Sequence, residues 1–247
     1  VGPSRPNDPP ARYQRLEKPP LRIQTTTLWD YPSQHYGSPR QGTGMQGDRA
    51  YVGATPSYVI WNVLQRYSSP GDLVIDPMCG SGTTLDVAKD LGRKGRGFDV
   101  APYRADIEKA DARKLPVEKG SVQVVFVDPP YGDHIHYSED PRCIGKLSAY
   151  DPKYYEEMGK VLHEAARVLR KDGVLAIYCC DYFEKKRGIA CVGFELFALA
   201  LRDLRPIDHI AVTRHHKTLE QGNYHKGAEE GNFFLRGFNH LFLLRKT

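Results

Sequence analysis

The sequence predicts an α/β fold, a mostly parallel, doubly wound sheet with an antiparallel edge strand. Three observations carry that expectation. Short apolar runs alternate with amphipathic stretches through most of the chain. The runs are continuous in apolar residues, as strands covered on both faces are. The connections between them are short, as in repeated strand–helix units.

Taken in order, residues 1–24 are rich in proline with scattered charges and no periodicity, which predicts an extended or disordered arm. Residues 25–247 are then expected to form one domain. "TTTLWDYPSQHYG" (25–37) is dense in aromatics, with Trp29, Tyr31, His35 and Tyr36 close together, and 38–50 is a Gly-rich loop. A helix is predicted from Pro56 to about Tyr67, with Thr55 or Ser57 near its N-cap. "DLVIDPM" (72–78) reads as a strand, 83–92 as a helix, and 95–100 and 106–112 as strands, the latter weaker. The run 121–130 is a fourth strand. In 152–170 the apolar positions Met158, Val161, Leu162, Ala165, Val168 and Leu169 fall on one helical face. A strand at 173–181 and a helix at 191–203 follow. Two strand-like runs, 206–214 and 237–246, close the chain as the antiparallel addition, joined by a long polar loop.

Composition narrows the function classes. The chain has 247 residues, 40% hydrophobic and 26% charged, ordinary for a soluble domain. No stretch approaches the ~20 apolar residues of a membrane span, and no secretory apolar region opens the sequence. Five cysteines without a CxxC pair indicate neither a disulfide framework nor a zinc knuckle, so a reducing, cytoplasmic setting is expected. The formal charge of +5 is compatible with a polyanionic partner.

In doubly wound sheets ligands bind at the carboxyl ends of the strands. Asp76, Asp99, Asp111 and Asp128 each end a predicted strand and so share one rim. "DPMCGSGTT" (76–84) joins a strand to a helix through Gly80 and Gly82, where backbone can approach a ligand and a helix N-terminus begins. The loop lacks the Lys-Ser/Thr of a P-loop. Asp99, closing the second strand, stands where ribose hydroxyls are gripped, and Asp111 is placed to accept from an adenine amino group. An acidic rim suits a ligand with adenosine at one end and a cationic amino acid at the other. That is S-adenosylmethionine rather than NAD, whose pyrophosphate prefers donors.

"DPMCGSGTT", "GFD", "ADA" and "VDPPYG" together resemble the Rossmann-like class I S-adenosylmethionine-dependent amino-methyltransferases, over roughly residues 55–181. The stretch "TPSYVIWNVLQRYSSPGDLVIDPMCGSGTT" is similar to the cofactor half of bacterial N4-cytosine and N6-adenine DNA methylases. The resemblance implies a cofactor set of Thr55, Asp76, Pro77, Cys79, Gly80, Gly82, Thr83, Thr84, Asp99, Val100, Asp111, Ala112 and Asp128, with Cys79 a small packing residue. It implies further that Asp128, Pro129, Pro130 and Tyr131 hold the target base. An exocyclic amine is a poor nucleophile because its lone pair is delocalised into the ring. Acceptors on Asp128 and the Pro129 carbonyl would bind both amino hydrogens and favour a pyramidal nitrogen, and the two prolines would keep those acceptors fixed. Tyr131 would offer a stacking face. No metal is expected; "HIH" (134–136) reads as polar loop.

The expected partner is nucleic acid, without membrane. Only about 65 residues follow 181, mostly used by a helix and two strands, so no large target-recognition domain is expected. The aromatic segment 25–37 and the loops 132–150 and 214–236 remain as recognition elements. Folded RNA, ribosomal RNA with a cytosine N4 amine, is therefore the favoured substrate, with DNA cytosine or adenine methylation second. A nonenzymatic nucleic-acid-binding relative, half of a heterodimer, and a small-molecule amine methyltransferase are the other readings.

Overall fold

The computed structural model describes residues 20–31, 35–37, 45–48, 50–131, 135, 137–214, 219 and 222–247. The strands are β1 (Leu28–Trp29), β2 (Leu73–Asp76), β3 (Lys94–Asp99), β4 (Ile107–Lys109), β5 (Val122–Val127), β6 (Leu169–Cys179), β7 (Tyr182–Glu184), β8 (Gly188–Ala190), β9 (Arg205–Thr213) and β10 (Phe238–Arg245). The helices are α1 (Ser57–Tyr67), α2 (Thr83–Asp90), α3 (Pro152–Val168), α4 (Val192–Ala200) and α5 (Gly222–Gly231).

Eight strands form one sheet in the order β1-β9-β10-β6-β5-β2-β3-β4. The ladders β4–β3–β2–β5–β6 are all parallel, and so is β1 on β9. β10 runs antiparallel to both β6 and β9, so the expected antiparallel strand lies between two neighbours and the two residues of β1 finish that edge. The chain order reverses between β2 and β5, which makes their carboxyl ends the switch point where ligands bind in such sheets.

Each face of the sheet buries its own core. Val125 and Val127 of β5 join Ile75, Leu175, Ile177 and the apolar stripes of α3 and α4. Val124 and Phe126 point the other way, into a core with α1, α2 and the aromatics Trp29, Tyr31 and Tyr36. The period of two along β5 thus serves both layers. α3 starts where Asp151 accepts from the Lys153 amide at 2.9 Å, with Pro152 in its first turn.

In the aromatic segment expected to contact substrate, Trp29 and Tyr36 wall this second core, while Tyr31 and His35 also line a cavity at the carboxyl ends of the parallel strands. Trp29 and Tyr36 are each only 2% exposed, and Tyr31 stacks on Tyr58 of α1 with ring centres 5.0 Å apart. Residues 20–24 continue along α1, where the Asn62 side chain accepts from the Gln24 amide at 2.7 Å. Most of the proposed arm, 1–19, and most of the 38–50 loop lie outside the described residues, as do His134 and His136. The 214–236 loop contains α5, and 182–190 forms the small β7–β8 hairpin, neither of which periodicity announced. Among the described residues no helix is long and apolar enough to cross a membrane.

Candidate functional site

A cavity of about 770 Å3 opens along the carboxyl ends of the parallel strands. Its floor at one end is the turn after β2, where Pro77, Met78, Cys79, Gly80 and Ser81 line it together with Asp99, Val100 and Ala101 after β3. The glycines are required by the backbone here. Gly80 has φ +47° and Gly82 φ +80°, and a Cβ on Gly80 would fall 2.7 Å from the Tyr51 hydroxyl. A Cβ on Gly82 would fall 2.6 Å from the Arg104 guanidinium, which is itself held by Asp86 at 2.7 Å and Asp106 at 2.6 Å.

Asp76 lies beneath this loop rather than in the cavity wall. It is 4% exposed and accepts from Thr84 Oγ1 at 2.6 Å and from the Met78 amide at 3.0 Å. Burial pushes its carboxyl up to about 7, against the pull of those two hydrogen bonds. Thr83 shares a 2.8 Å hydrogen bond with Ser81. Of the thirteen residues expected around the cofactor, Asp76, Gly82, Thr83 and Thr84 therefore shape the loop from behind, and the other nine line the cavity.

Asp99 is in the wall and accepts from the Gly80 amide at 3.2 Å and the Ala101 amide at 2.9 Å. Burial raises its pKa in spite of these bonds. Asp111 also lines the cavity, but β4 stops at Lys109, so this acid sits in the following turn and does not end the strand. Its two oxygens take Arg113, at 2.8 Å to Nε and 2.6 Å to Nη2. Burial favours the neutral acid, yet the guanidinium prevails and the pKa is lowered. Acceptance from an adenine amine would compete with that pair.

Asp128 follows β5 and marks the middle of the cavity. Protein encloses it on every side but the cavity, from which solvent still reaches it. Thr55 Oγ1 donates to its Oδ2 at 2.7 Å. Thr55, expected at the cofactor, thus holds the Asp128 carboxylate. Burial raises Asp128 to about 7, the Thr55 bond opposes this, and the charge of Asp76 adds to it. Pro129, Pro130 and Tyr131 line the same wall, and Tyr131 packs its ring against the core beneath.

Residues outside the expected cofactor and base sets complete the chamber, and among them Tyr137 and Arg214 fall in the loops 132–150 and 214–236 expected as recognition elements. Met45, Asp48, Tyr51 and Tyr103 overhang the glycine turn, with Tyr51 edge-on to Tyr103 at 5.1 Å. The segment is fastened there because the Gly47 amide donates to Asp86 at 2.8 Å and Gln46 to Asp90 at 3.2 Å. Tyr137 crosses near Pro130, and burial pushes its hydroxyl up to about 12. Beyond Asp128 the cavity continues to Tyr178, Val212, Thr213, Arg214 and Asn239, at the ends of β6, β9 and β10. No local motif marks these positions.

Comparison with known proteins bears on the cofactor half. Residues 5–110 match the N6_N4_Mtase family model, described as DNA methylase. Type II methyltransferase M.EcaI of Enterobacter cloacae is 58% identical over 94 residues, which cover 38% of this chain and 18% of that protein. Across three such relatives the matches span only 17% to 24% of their length. Among solved structures, TrmN from Thermus thermophilus aligns with a TM-score of 0.52 at 19% identity, covering 79% of this chain and 50% of that one. A geranyl diphosphate methyltransferase bound to S-adenosylmethionine aligns at 0.50 and 14% identity, over 86% of this chain and 98% of that one. The shared architecture is the Rossmann-like class I methyltransferase fold.

Proposed function

We propose that this chain, whose residues 5–110 match the N6_N4_Mtase family model, is an S-adenosylmethionine-dependent methyltransferase that acts on an exocyclic amine of a nucleic-acid base. One observation carries the reading: the glycine turn with Asp99 and the Asp128-Pro129-Pro130-Tyr131 corner open into one chamber. S-adenosylmethionine fits the first of these. The Gly80 turn leaves no room for a side chain, and the Asp99 carboxylate faces the cavity from a strand end. When bound, the cofactor supplies an electrophilic sulfonium methyl group.

The chain's own residues would do the rest by positioning. Asp99 would grip ribose hydroxyls, its carboxylate oriented by the Gly80 and Ala101 amides. Asp128, ionised and held by Thr55, would accept one amino hydrogen of the base, and the Pro129 carbonyl would accept the other. Both acceptors are in place before the base arrives, so little reorganisation is needed during transfer. Tyr131, packed from below, would limit the ring's tilt.

The finer proposal concerns the polymer. A base must leave its stack to reach a carboxylate at the cavity's depth, and the cost is least where it is already unpaired. That favours folded RNA and a cytosine N4 amine. DNA is the second reading, supported by a family model of DNA methylases. Transfer from radiolabelled S-adenosylmethionine to RNA and DNA from cells lacking this protein, with nucleosides identified after digestion, separates them. Methylated cytosine in RNA is expected; label in DNA would reverse the order, and label in neither would remove nucleic acid as substrate.

A further inference from the structure

The chamber crosses the sheet rim in sequence. The proposed cofactor end lies over β2, β3 and β4, the Asp128 corner over β5, and a third group of residues over β6, β10 and β9. In that last group Arg214 directly follows β9. Its amide donates to the Gly237 carbonyl at 2.9 Å, and its Nη1 donates to Cys180 Sγ at 3.1 Å. A thiol is a weak acceptor. Burial raises the Cys180 pKa, although Arg214 pulls against it, so the thiol stays neutral.

Among the described residues no carboxylate pairs with Arg214, whereas Arg104, Arg113 and Arg167 each hold one at 2.7 Å or closer. Among the described residues the Arg214 guanidinium donates only to the Cys180 thiol, so most of its five N–H donors meet no acceptor there, in a chamber wall. Arg214 lines the same cavity as Asp128, Tyr131 and Tyr178. Next to it, Asn239 Nδ2 donates to the Tyr178 hydroxyl, leaving the phenol's own hydrogen for another acceptor. Arg214 and Tyr178 thus bring donors to this end of the chamber, and Asn239 Oδ1, buried and without a hydrogen-bond partner among the described residues, adds one acceptor.

The bases that carry an exocyclic amine, namely cytosine, adenine and guanine, differ in what adjoins it. In cytosine, N4 is followed along the edge by the acceptors N3 and O2. In adenine, N6 is followed by N1 and then by a C–H. In guanine, N2 adjoins the N1–H donor. Resting on the proposed function, we propose that Arg214, with Tyr178, forms the subsite for the N3/O2 acceptor edge of a cytosine whose amine is held at Asp128. A planar guanidinium suits two in-plane acceptors better than an ammonium does.

The test uses the whole protein saturated with S-adenosylhomocysteine and follows binding of cytidine, adenosine and guanosine 5′-monophosphates and of ribose 5-phosphate by saturation-transfer NMR. Cytidine monophosphate is expected to bind best. Arg214→Met should weaken it about tenfold or more, with Arg214→Lys intermediate. Cofactor affinity by calorimetry should be unchanged in both variants, which certifies the fold. An adenosine preference in the parent protein, or unchanged cytidine binding in Arg214→Met, would overturn the inference. Equal loss of ribose 5-phosphate would also overturn it, making Arg214 a phosphate contact. If the parent binds no nucleotide and labels neither polymer, the proposed function itself fails. Methylated adenine in either polymer would sink only the subsite.

Discussion

Asp76, buried, and Asp128, enclosed by protein but open to the cavity, are two carboxylates whose pKa values are both raised to about 7. For each, the stability contributed by the raised pKa is fully present below the unfolded value of about 3.8 and is lost as pH rises through 7. Above pH 7 the fold therefore carries an enclosed charge that the proposed chemistry requires. Asp128→Asn should cut methyl transfer by about a hundredfold or more while leaving S-adenosylmethionine affinity nearly intact by calorimetry. The same substitution should raise unfolding free energy at pH 8 by roughly 1–3 kcal/mol, and the gain should vanish at pH 4. Asp99→Ala should do the reverse, weakening the cofactor first. Equal loss of cofactor binding in both variants would show that clamp and cofactor pocket are not separable. Thr55 is a positioning residue for Asp128. Its replacement by Val removes the one hydrogen bond that lowers that pKa, so the acid limb of the pH–rate profile should move to higher pH.

At the scale of elements, the segment around β1 shows how an aromatic run is spent. Trp29 is buried among strand and helix residues, and its Nε1 donates to the Thr26 carbonyl at 2.8 Å. Trp29→Ala should cost about 3–5 kcal/mol in denaturant unfolding, as large core truncations do. Nucleic-acid affinity of the folded fraction should stay the same; a selective loss of affinity without loss of stability would restore the segment to substrate recognition. The turn between β2 and α2 is the opposite case. Its glycines have no packing value and are there because Tyr51 and Arg104 occupy the space that side chains would take.

For the whole molecule, the chamber is roofed by Met45, Asp48 and Tyr51 and floored by strand ends, so a ligand that binds only the folded state bridges parts distant in sequence. S-adenosylmethionine at a hundredfold excess over its Kd should stabilise the fold by about 2.7 kcal/mol. For a domain of this size that corresponds to a rise in Tm of roughly 5–10 °C. At the same concentration Asp99→Ala should show a much smaller rise, and an equal rise would place the cofactor elsewhere.

Sequence alone determined the alternation of elements, since strand β5 and helix α3 carry periodicities that each satisfy locally. It likewise determined the glycine turn and the Asp128 corner, because both are contiguous motifs whose chemistry is written in adjacent residues. Only the tertiary structure decided that Thr55 serves Asp128 across the chain, that Arg113 ties Asp111 to Glu157, and that Tyr51 leans over Gly80. It also decided that Arg214 lines the same chamber as Asp128 with no carboxylate paired to it among the described residues, a position produced by β9 and β10 folding back beside β6. These contacts join residues tens of positions apart. Their partners are chosen by where the sheet brings strand ends together, and no spacing along the chain encodes that.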